Sequence, residues 1–390
     1  MAKTNMDDQE LEMREYLVPR ASVQPLLTSF SVVRNRLGEV FDLPKGDAGQ
    51  ATRWWQGQKP DDQIVLRQAL TAMASPVIMS DITIMRGDQG LVQTTLVKES
   101  LRVDDPAFLV GTDQGGENLR LRRLQSPEVM AGTILMYLEA GSEPGLAEFK
   151  FEVSPSEFLV LLATLDLHRR SYLISLLEHE EMRPGMKLED VQNSLSDGLQ
   201  YPDPRWLVPF VVPILPEKPQ LDWNALWQAV QSLGQRGLVK LSGDNKELTL
   251  TEAGALMATE MLRKMTQVRI ASLGYTEDSR QASQTSFFIR GESLIWYMDV
   301  GAESVVVAAV DLDKAGELLV ELFKPVGAPP VAAPVKEAPG AARAQPATAP
   351  APTVQAKPKV RYCPSCGQPA TWIEQYKRWY CYSCQKYLEQ

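Results

Sequence analysis

All four cysteines of the chain lie in its last thirty residues, as two Cys-x-x-Cys pairs. Cys363 and Cys366 form the first pair, Cys381 and Cys384 form the second, and fourteen residues separate the pairs. Two residues between ligands allow a tight turn to direct both sulfurs at one ion, and in a reducing compartment such thiols bind metal rather than form disulfides. We therefore expect one Zn²⁺ held by these four thiolates. Because four sulfur ligands close the coordination sphere, this ion would be structural and not catalytic.

The segment around these cysteines also fits a recognisable small module. The strings CPSCG and CYSC flank an aromatic stretch that fits two strands, 370–374 and 378–382. This arrangement resembles the zinc-ribbon family over residues 361–390, with a spacing one residue shorter than the usual fifteen to twenty. The resemblance implies that metal binding supplies the folding free energy, since thirty residues bury too little core. A rubredoxin-like iron site and a redox-active dithiol remain as alternatives.

Aromatic and basic side chains alternate between the two cysteine pairs. We single out five residues as candidates for binding a partner, and these are Trp372, Tyr376, Lys377, Arg378 and Trp379. Such a patch could contact a protein or stack on single-stranded nucleic acid. The alternative is that most of the aromatics shield the metal and form the core of the module. Zinc ribbons bind both classes of partner, so the resemblance does not choose between them.

Composition separates this module from a large acidic body. From 325 to 360, twenty of thirty-six residues are Pro or Ala, which predicts a disordered, semi-rigid linker. The chain of 390 residues has a net charge of −9, and residues 325–390 carry eight basic and three acidic side chains, so residues 1–324 carry a net −14. An acidic body disfavours nucleic acid as its partner. We expect no membrane span and, without a visible secretory signal, a cytoplasmic location.

The body shows one pattern of elements twice. A helix at 62–75 precedes strand-like runs at 77–85, 91–98, 107–112 and 117–124 and a helix at 126–139. The same order returns about 190 residues later, with a helix at 251–265, strand-like runs at 268–273, 286–290, 294–298 and 304–310, and a helix at 311–323. The fold class predicted is therefore α+β. The body would comprise a first half at 1–153 and, at 154–324, a helical region and second half, followed by the linker at 325–360 and the ribbon at 361–390.

The middle of the body is mainly helical. Ser154-Pro-Ser-Glu157 opens a helix whose apolar pattern continues through Tyr172 to Leu177, and the proline-containing run 206–219 is expected to be a loop or an irregular edge. Residues 222–262 read as a helix, two short strands and a helix, which is similar to winged-helix proteins. The outward side chains of the first of these helices are nearly all neutral, which argues against DNA readout.

Two further patterns bear on function. His168 and His179 lie three helical turns apart, so a solvated helix face explains both, and no nucleophile or phosphate loop accompanies them. We therefore expect no enzyme, although a carboxylate pair assembled from distant positions is an alternative. The repeated order of the body resembles, in topology alone, the pseudo-symmetric EspG-type chaperones of type VII secretion. Together these patterns predict a non-catalytic adaptor for protein partners; the alternatives are a winged-helix and zinc-ribbon transcription regulator and a chaperone-like binding protein.

Overall fold

The computed structural model contains two compact units, Met1–Ala332 and Ala333–Gln390. The structure describes residues 14–87, 90–102, 105–124, 126–139, 149–182, 185–201, 203–215, 222–243, 246–262, 266–275, 281–323, 361–362, 369–373, 378–381 and 386–387. The linker expected at 325–360 lies outside these residues. The larger unit is a mixed α+β structure built on one large antiparallel sheet.

The sheet of the larger unit has ten strands among the described residues. In chain order they are β1 (Glu15–Pro19), β2 (Ile78–Arg86), β3 (Gly90–Lys98), β4 (Ala107–Thr112), β5 (Asn118–Leu124), β6 (Lys150–Val153), β10 (Thr266–Tyr275), β11 (Gln281–Arg290), β12 (Ile295–Val300) and β13 (Val305–Val310). Their spatial order is β1-β5-β4-β3-β2-β10-β11-β12-β13-β6, with every neighbouring pair antiparallel. Three more short strands, β7 (Gly185–Lys187), β8 (Val239–Leu241) and β9 (Glu247–Leu250), form a separate sheet in the order β7-β9-β8.

The large sheet consists of two copies of the same strand order, which meet at the β2–β10 pair. Each half is a four-strand meander, β2 to β5 or β10 to β13, and an additional strand, β1 or β6, joins its outer edge. Ile82 lies opposite Ile270 at the centre of the β2–β10 register. Strand β6 precedes residue 154, where the second half was expected to begin, yet it pairs with β13. The repeated order of elements seen in the sequence is thus present in the sheet.

Helices cover both faces of the sheet. They are α1 (Arg20–Ser29), α2 (Ala48–Gln56), α3 (Pro60–Ala74), α4 (Pro127–Glu139), α5 (Pro155–Glu178), α6 (Leu188–Gln200), α7 (Leu207–Val211), α8 (Trp223–Gln235), α9 (Glu252–Leu262) and α10 (Leu312–Leu322). The equivalent helices α4 and α10 share one apolar cluster with the middle strands. On the opposite face, α1 to α3 pack on the first repeat, and α5 to α9 pack on the second. In strands β2 and β10, the residues Ile82, Ile84, Val268 and Ile270 face this shared cluster of α4 and α10.

The helical region expected at 222–262 contains α8, β8, β9 and α9 as drawn from the sequence, and β7 adds a third strand by pairing with β9. Helix α8 buries Leu226, Ala229, Val230 and Leu233. Its exposed positions include Asn224, Gln228, Gln231 and Gln235. The neutral outer face expected for this helix is therefore the solvent-facing one.

The prediction of a loop or irregular edge at 206–219 was wrong for its first half. Residues Leu207–Val211 form α7, and Val212–Ile214 continue as a 3-10 helix. Pro209 is tolerated because it lies in the first turn, where the backbone N–H has no intrahelical partner. The N–H groups of Leu207 and Val208 instead donate to the buried Asp166 carboxylate, each at 2.9 Å. A carboxylate forty residues away in sequence thus begins this helix.

Two observations complete the architecture. Across the part of the chain that the structure describes, no helix combines the length and apolarity needed to cross a membrane. The smaller unit contains four short antiparallel strands, β14 (Arg361–Tyr362), β15 (Pro369–Ile373), β16 (Arg378–Cys381) and β17 (Lys386–Tyr387), in sequential order. The aromatic hairpin expected between the cysteine pairs is β15 and β16.

Candidate functional site

The smaller unit holds the residues that the sequence singled out. Cys363, Cys366 and Cys384 lie outside the described residues, as do Tyr376 and Lys377, whereas Cys381 is the last residue of β16. The strand register places Trp372 directly opposite Trp379, and Arg378 opposite Ile373. Three of the five candidate partner-binding residues are therefore on one hairpin, and two of them are cross-strand neighbours.

The strand order also relates the two cysteine-bearing connections. Residues 363–368 join β14 to β15, and residues 382–385 join β16 to β17. Since the four strands form an antiparallel meander, both connections leave and enter the sheet at the same end. Cys363 and Cys366 belong to the first connection by sequence and Cys384 to the second, while Cys381 is the last residue of β16. Four thiols are a donor set that tetrahedral zinc sites use, while the described residues alone contain no group of three or more metal-binding side chains.

In the larger unit, exposed apolar side chains concentrate at one place. The last two turns of α5 carry Leu173, Ile174, Leu176 and Leu177, whose exposed fractions are 42%, 45%, 54% and 81%. We call these four residues the apolar end of α5. The residues immediately beyond it, from Glu178 to Glu181, are exposed and carry three carboxylates. Helix α5 is thus buried along its first half and presents a contiguous apolar surface at its other end.

Strong local signals position this helix. Ser154 accepts a hydrogen bond from the Glu157 N–H at 3.2 Å, and the Glu157 carboxylate accepts from the Ser154 N–H at 2.6 Å. This reciprocal capping box fixes the first turn. The segment from Glu157 to Asp166 is then buried without interruption. The capping and the burial fix the first half of α5, from which its exposed end extends.

A cluster of charged and aromatic side chains lies at the base of the apolar end. The guanidinium carbons of Arg169 and Arg170 lie 5.1 and 5.5 Å from the Trp206 ring centroid. Arg169 also donates to the Arg205 carbonyl at 2.8 Å, and Arg170 lies 3.4 Å from the Asp197 carboxylate. Burial lowers the pKa of Arg169. Two cations are thereby held one turn before the apolar end, and three carboxylates follow it.

The two histidines do not share the environment expected from sequence. His179 ends α5 in a left-handed conformation, φ 57°, and is exposed. His168 is instead half-buried, and its burial lowers the pKa of the imidazole. The expectation of a solvated face therefore fails for His168.

A cleft of about 420 Å³ lies on the first repeat of the sheet, with Arg269 of β10 at its edge, and it was not predicted. Exposed polar residues of central strands line it, among them Asp81 and Gln93, and Thr95 donates to the Asp81 carboxylate at 2.8 Å. Arg269, across the β2–β10 seam, donates to the Thr83 hydroxyl and to the Phe210 carbonyl, each at 3.1 Å. Burial lowers the pKa of Arg269, and the Asp81 charge opposes that shift. The guanidinium is thus committed to the protein at the wall of the cleft.

The apolar end of α5 was likewise missed, and its sequence signal is visible in retrospect. Tyr172 to Leu177 continues the apolar pattern of α5, so the sequence suggested burial. The apolar positions there, however, occupy consecutive pairs and cover far more than one helix face. Excess apolar coverage beyond a capped, buried segment was the available signal for an exposed surface.

No family model matches the chain, and no curated protein sequence matches it. A solved structure of the Mycobacterium tuberculosis type VII secretion system chaperone EspG5, in complex with the PE25–PPE41 dimer, is similar over 80% of this chain and 97% of that chain. The sequence identity is 11% and the TM-score is 0.43. This neighbour is of the type with which the order of elements was compared above. A TM-score this low supports no inference about function.

Proposed function

We propose that the protein is a non-catalytic adaptor that binds protein through its larger unit and carries a zinc-binding ribbon at its C-terminus. The observation that carries the proposal is the apolar end of α5. Exposed apolar residues scattered singly are ordinary, but four large ones on two turns of a rigid helix form a contiguous surface of the kind that marks protein interfaces. A chaperone-like binding protein is one form of this function.

We propose that the zinc-binding ribbon binds a second partner. One structural Zn²⁺ would be held by Cys363, Cys366, Cys381 and Cys384, and the same-end topology of the two connections supports this donor set. The partner surface would be Trp372, Tyr376, Lys377, Arg378 and Trp379. A Pro/Ala-rich linker would make the second contact intramolecular, at an effective concentration in the millimolar range.

The second candidate function is a winged-helix and zinc-ribbon regulator that binds nucleic acid. The pairing of β7 with β9, beside α6 and α8, favours it, because a third strand closes the small sheet between the helices. Against it, the exposed side chains of α8 offer few cations for phosphate contacts. A regulator would lose affinity for DNA steeply as salt rises, whereas an adaptor would show background binding only.

The experiment that tests the proposal is affinity capture after nuclease treatment. Four proteins would be compared: the full chain, residues 1–324, Leu177→Glu, and the Cys363→Ser/Cys366→Ser variant. We expect about one zinc per full chain by elemental analysis, none on residues 1–324, and loss of metal in the cysteine variant. Protein partners that survive nuclease and depend on Leu177 or on the ribbon would support the adaptor. Capture of nucleic acid and transcription components instead would replace it with the regulator.

A third outcome would point to an enzyme. The cleft on the first repeat has the volume of a small-ligand pocket. A small molecule that raises the melting temperature of the larger unit, and loses this effect in Asp81→Ala, would indicate a small-ligand site in the cleft and favour the enzyme alternative. The conservative variant Asp81→Asn separates a charge requirement from a general loss of the cleft.

A further inference from the structure

We infer that the cleft on the first repeat binds a zwitterionic ligand, an apolar α-amino acid or dipeptide. Its ammonium group would lie on Asp81, its carboxylate on Arg269 and its side chain against Val40 and Phe41. The inference adds a small-molecule site to the proposed adaptor and does not depend on a protein partner. It rests on an acceptor, a donor and an apolar wall that separate segments bring to one cleft of about 420 Å³.

The acceptor is a carboxylate in the middle of the large sheet. Asp81 lies on the central strand β2, and it is exposed. Met79 and Thr83, its neighbours on the same face, are both buried. Within the described part of the chain, Asp81 accepts one hydrogen bond, from the Thr95 hydroxyl at 2.8 Å. Its second carboxylate oxygen therefore faces the cleft without a donor, and a primary ammonium group offers three N–H donors.

The donor is the guanidinium of Arg269, on the strand beside β2. Arg269 lies opposite Thr83, so Asp81 is its diagonal neighbour across the strand pair, at a separation of about 7–8 Å. Two of the five guanidinium N–H groups are used, by the Thr83 hydroxyl and the Phe210 carbonyl. Burial lowers the pKa of Arg269 and the Asp81 charge opposes that shift, although the two side chains form no ion pair. A ligand with one positive and one negative group fits between them.

The apolar wall comes from the segment that connects α1 to α2. Val40, Phe41 and Leu43 line the cleft, and Val40 is 64% exposed. Arg20 fixes this segment by donating to the Asp42 carbonyl at 2.6 Å. A wall that is already held in the free protein costs little ordering when a ligand binds. An apolar side chain of the ligand would cover the exposed part of Val40.

The charges of the whole lining favour a zwitterion over an anion or a cation. The described residues around the cleft include two arginines, Arg20 and Arg269, and two aspartates, Asp42 and Asp81, so their net charge is zero. A ligand of one sign, such as a sugar phosphate or a polyamine, would gain from two of these groups and be repelled by the other two. The described lining includes no histidine and no cysteine. We therefore expect the ligand to be bound and not converted.

Isothermal titration calorimetry of the full chain tests the site. The probes are L-leucine and the dipeptide leucyl-leucine at up to about 10 mM, which covers micromolar to millimolar affinity. At least one should bind, and the tighter of the two tells whether a free amino acid or a short peptide is preferred. Isocaproate lacks the ammonium group of leucine and leucinamide lacks its carboxylate. Each should bind at least about tenfold more weakly than leucine, since hydrogen bonds to charged groups are the strong ones. Binding of neither probe, or equal binding of these analogues, overturns the inference.

Variants assign the binding to the cleft. Asp81→Asn preserves the shape of an exposed side chain and should weaken the tighter probe at least about tenfold. Glu152→Gln is the matched control, because Glu152 is exposed on β6 of the same sheet and outside the cleft. Val40→Asp should also weaken binding, since it removes the apolar contact and repels the ligand carboxylate. An Asp81→Asn chain that binds like Glu152→Gln overturns the site.

Two further results separate this inference from the other functions. Chromatography of the probe after incubation should return it unchanged, and its conversion would replace the inference with the enzyme alternative. A chain that captures protein partners but binds neither probe refutes this site alone. A chain that binds the probe but captures no partner refutes the adaptor and leaves the site in place.

Discussion

Replacing Asp166 with alanine should destabilise the larger unit by about 3 kcal/mol, because it leaves two buried N–H groups without their acceptor. The carboxylate is 3% exposed and accepts from Leu207 and Val208 at 2.9 Å. An unsatisfied buried donor costs about 1–3 kcal/mol, so two cost about 2–6 kcal/mol, and relief from burying the carboxylate offsets part of this. The loss is a large share of a typical stability of about 5–15 kcal/mol.

Urea unfolding monitored by tryptophan fluorescence measures this loss. Asp166→Asn retains one acceptor oxygen and should cost about half as much as Asp166→Ala. Asp197→Ala is the matched control, since Asp197 lies at the exposed surface and its pair with Arg170 is worth about 0.5 kcal/mol or less. If the Asp166→Ala and Asp197→Ala chains unfold at the same urea concentration, the capping role of Asp166 is refuted.

Three further changes test other parts of the unit. Burial lowers the pKa of His168, so near neutral pH the unfolded chain binds more protons than the folded one, and stability should fall as pH drops below about 6.5. In urea unfolding at several pH values, His168→Gln should flatten this fall. An unchanged dependence of stability on pH would contradict the burial of a neutral His168. Gly254→Ala places a Cβ 2.1 Å from the Leu238 carbonyl oxygen and should lower the melting temperature. In Gly132→Ala the new Cβ has nothing within 4 Å, so the higher helix propensity of alanine should stabilise the unit by about 1 kcal/mol and raise the melting temperature. A shift of the same sign in both variants would refute the steric argument. Ser154→Ala removes the capping box and should cost about 1 kcal/mol, and a calorimetric scan that shows no change would remove the cap from the account of α5.

The strands were predictable where one short pattern decides them. The run at 107–112 was placed to the residue, and β2 and β3 to within one, because alternating side chains and flanking turns are local signals. The helix opened by Ser154 and Glu157 was predictable for the same reason, since the capping box is written in four consecutive residues.

What the sequence could not show depends on contacts between distant segments. The hydrogen bonds from α7 to Asp166 span 41 and 42 residues, so the run at 206–219 offered no local sign of a helix. Asp81 and Arg269 line one cleft only because β2 pairs with β10, and no pattern within either strand states that register. The identity of the metal ligands remains a prediction from spacing alone.

The seam between β2 and β10 has a consequence for how the chain folds. Each meander closes short loops, whereas the seam joins residues about 190 positions apart, such as Ser80 and Ser272, whose hydroxyls lie 2.7 Å apart. The entropy of loop closure grows with loop length, and contacts of high sequence separation slow folding. We therefore expect the two meanders to form early and separately, and the β2–β10 pairing to form last. Pulse-labelled hydrogen exchange should protect amides of the β12–β13 hairpin before those bonded across the seam. The strand pair at the geometric centre of the sheet would then be the last part of the sheet to become native.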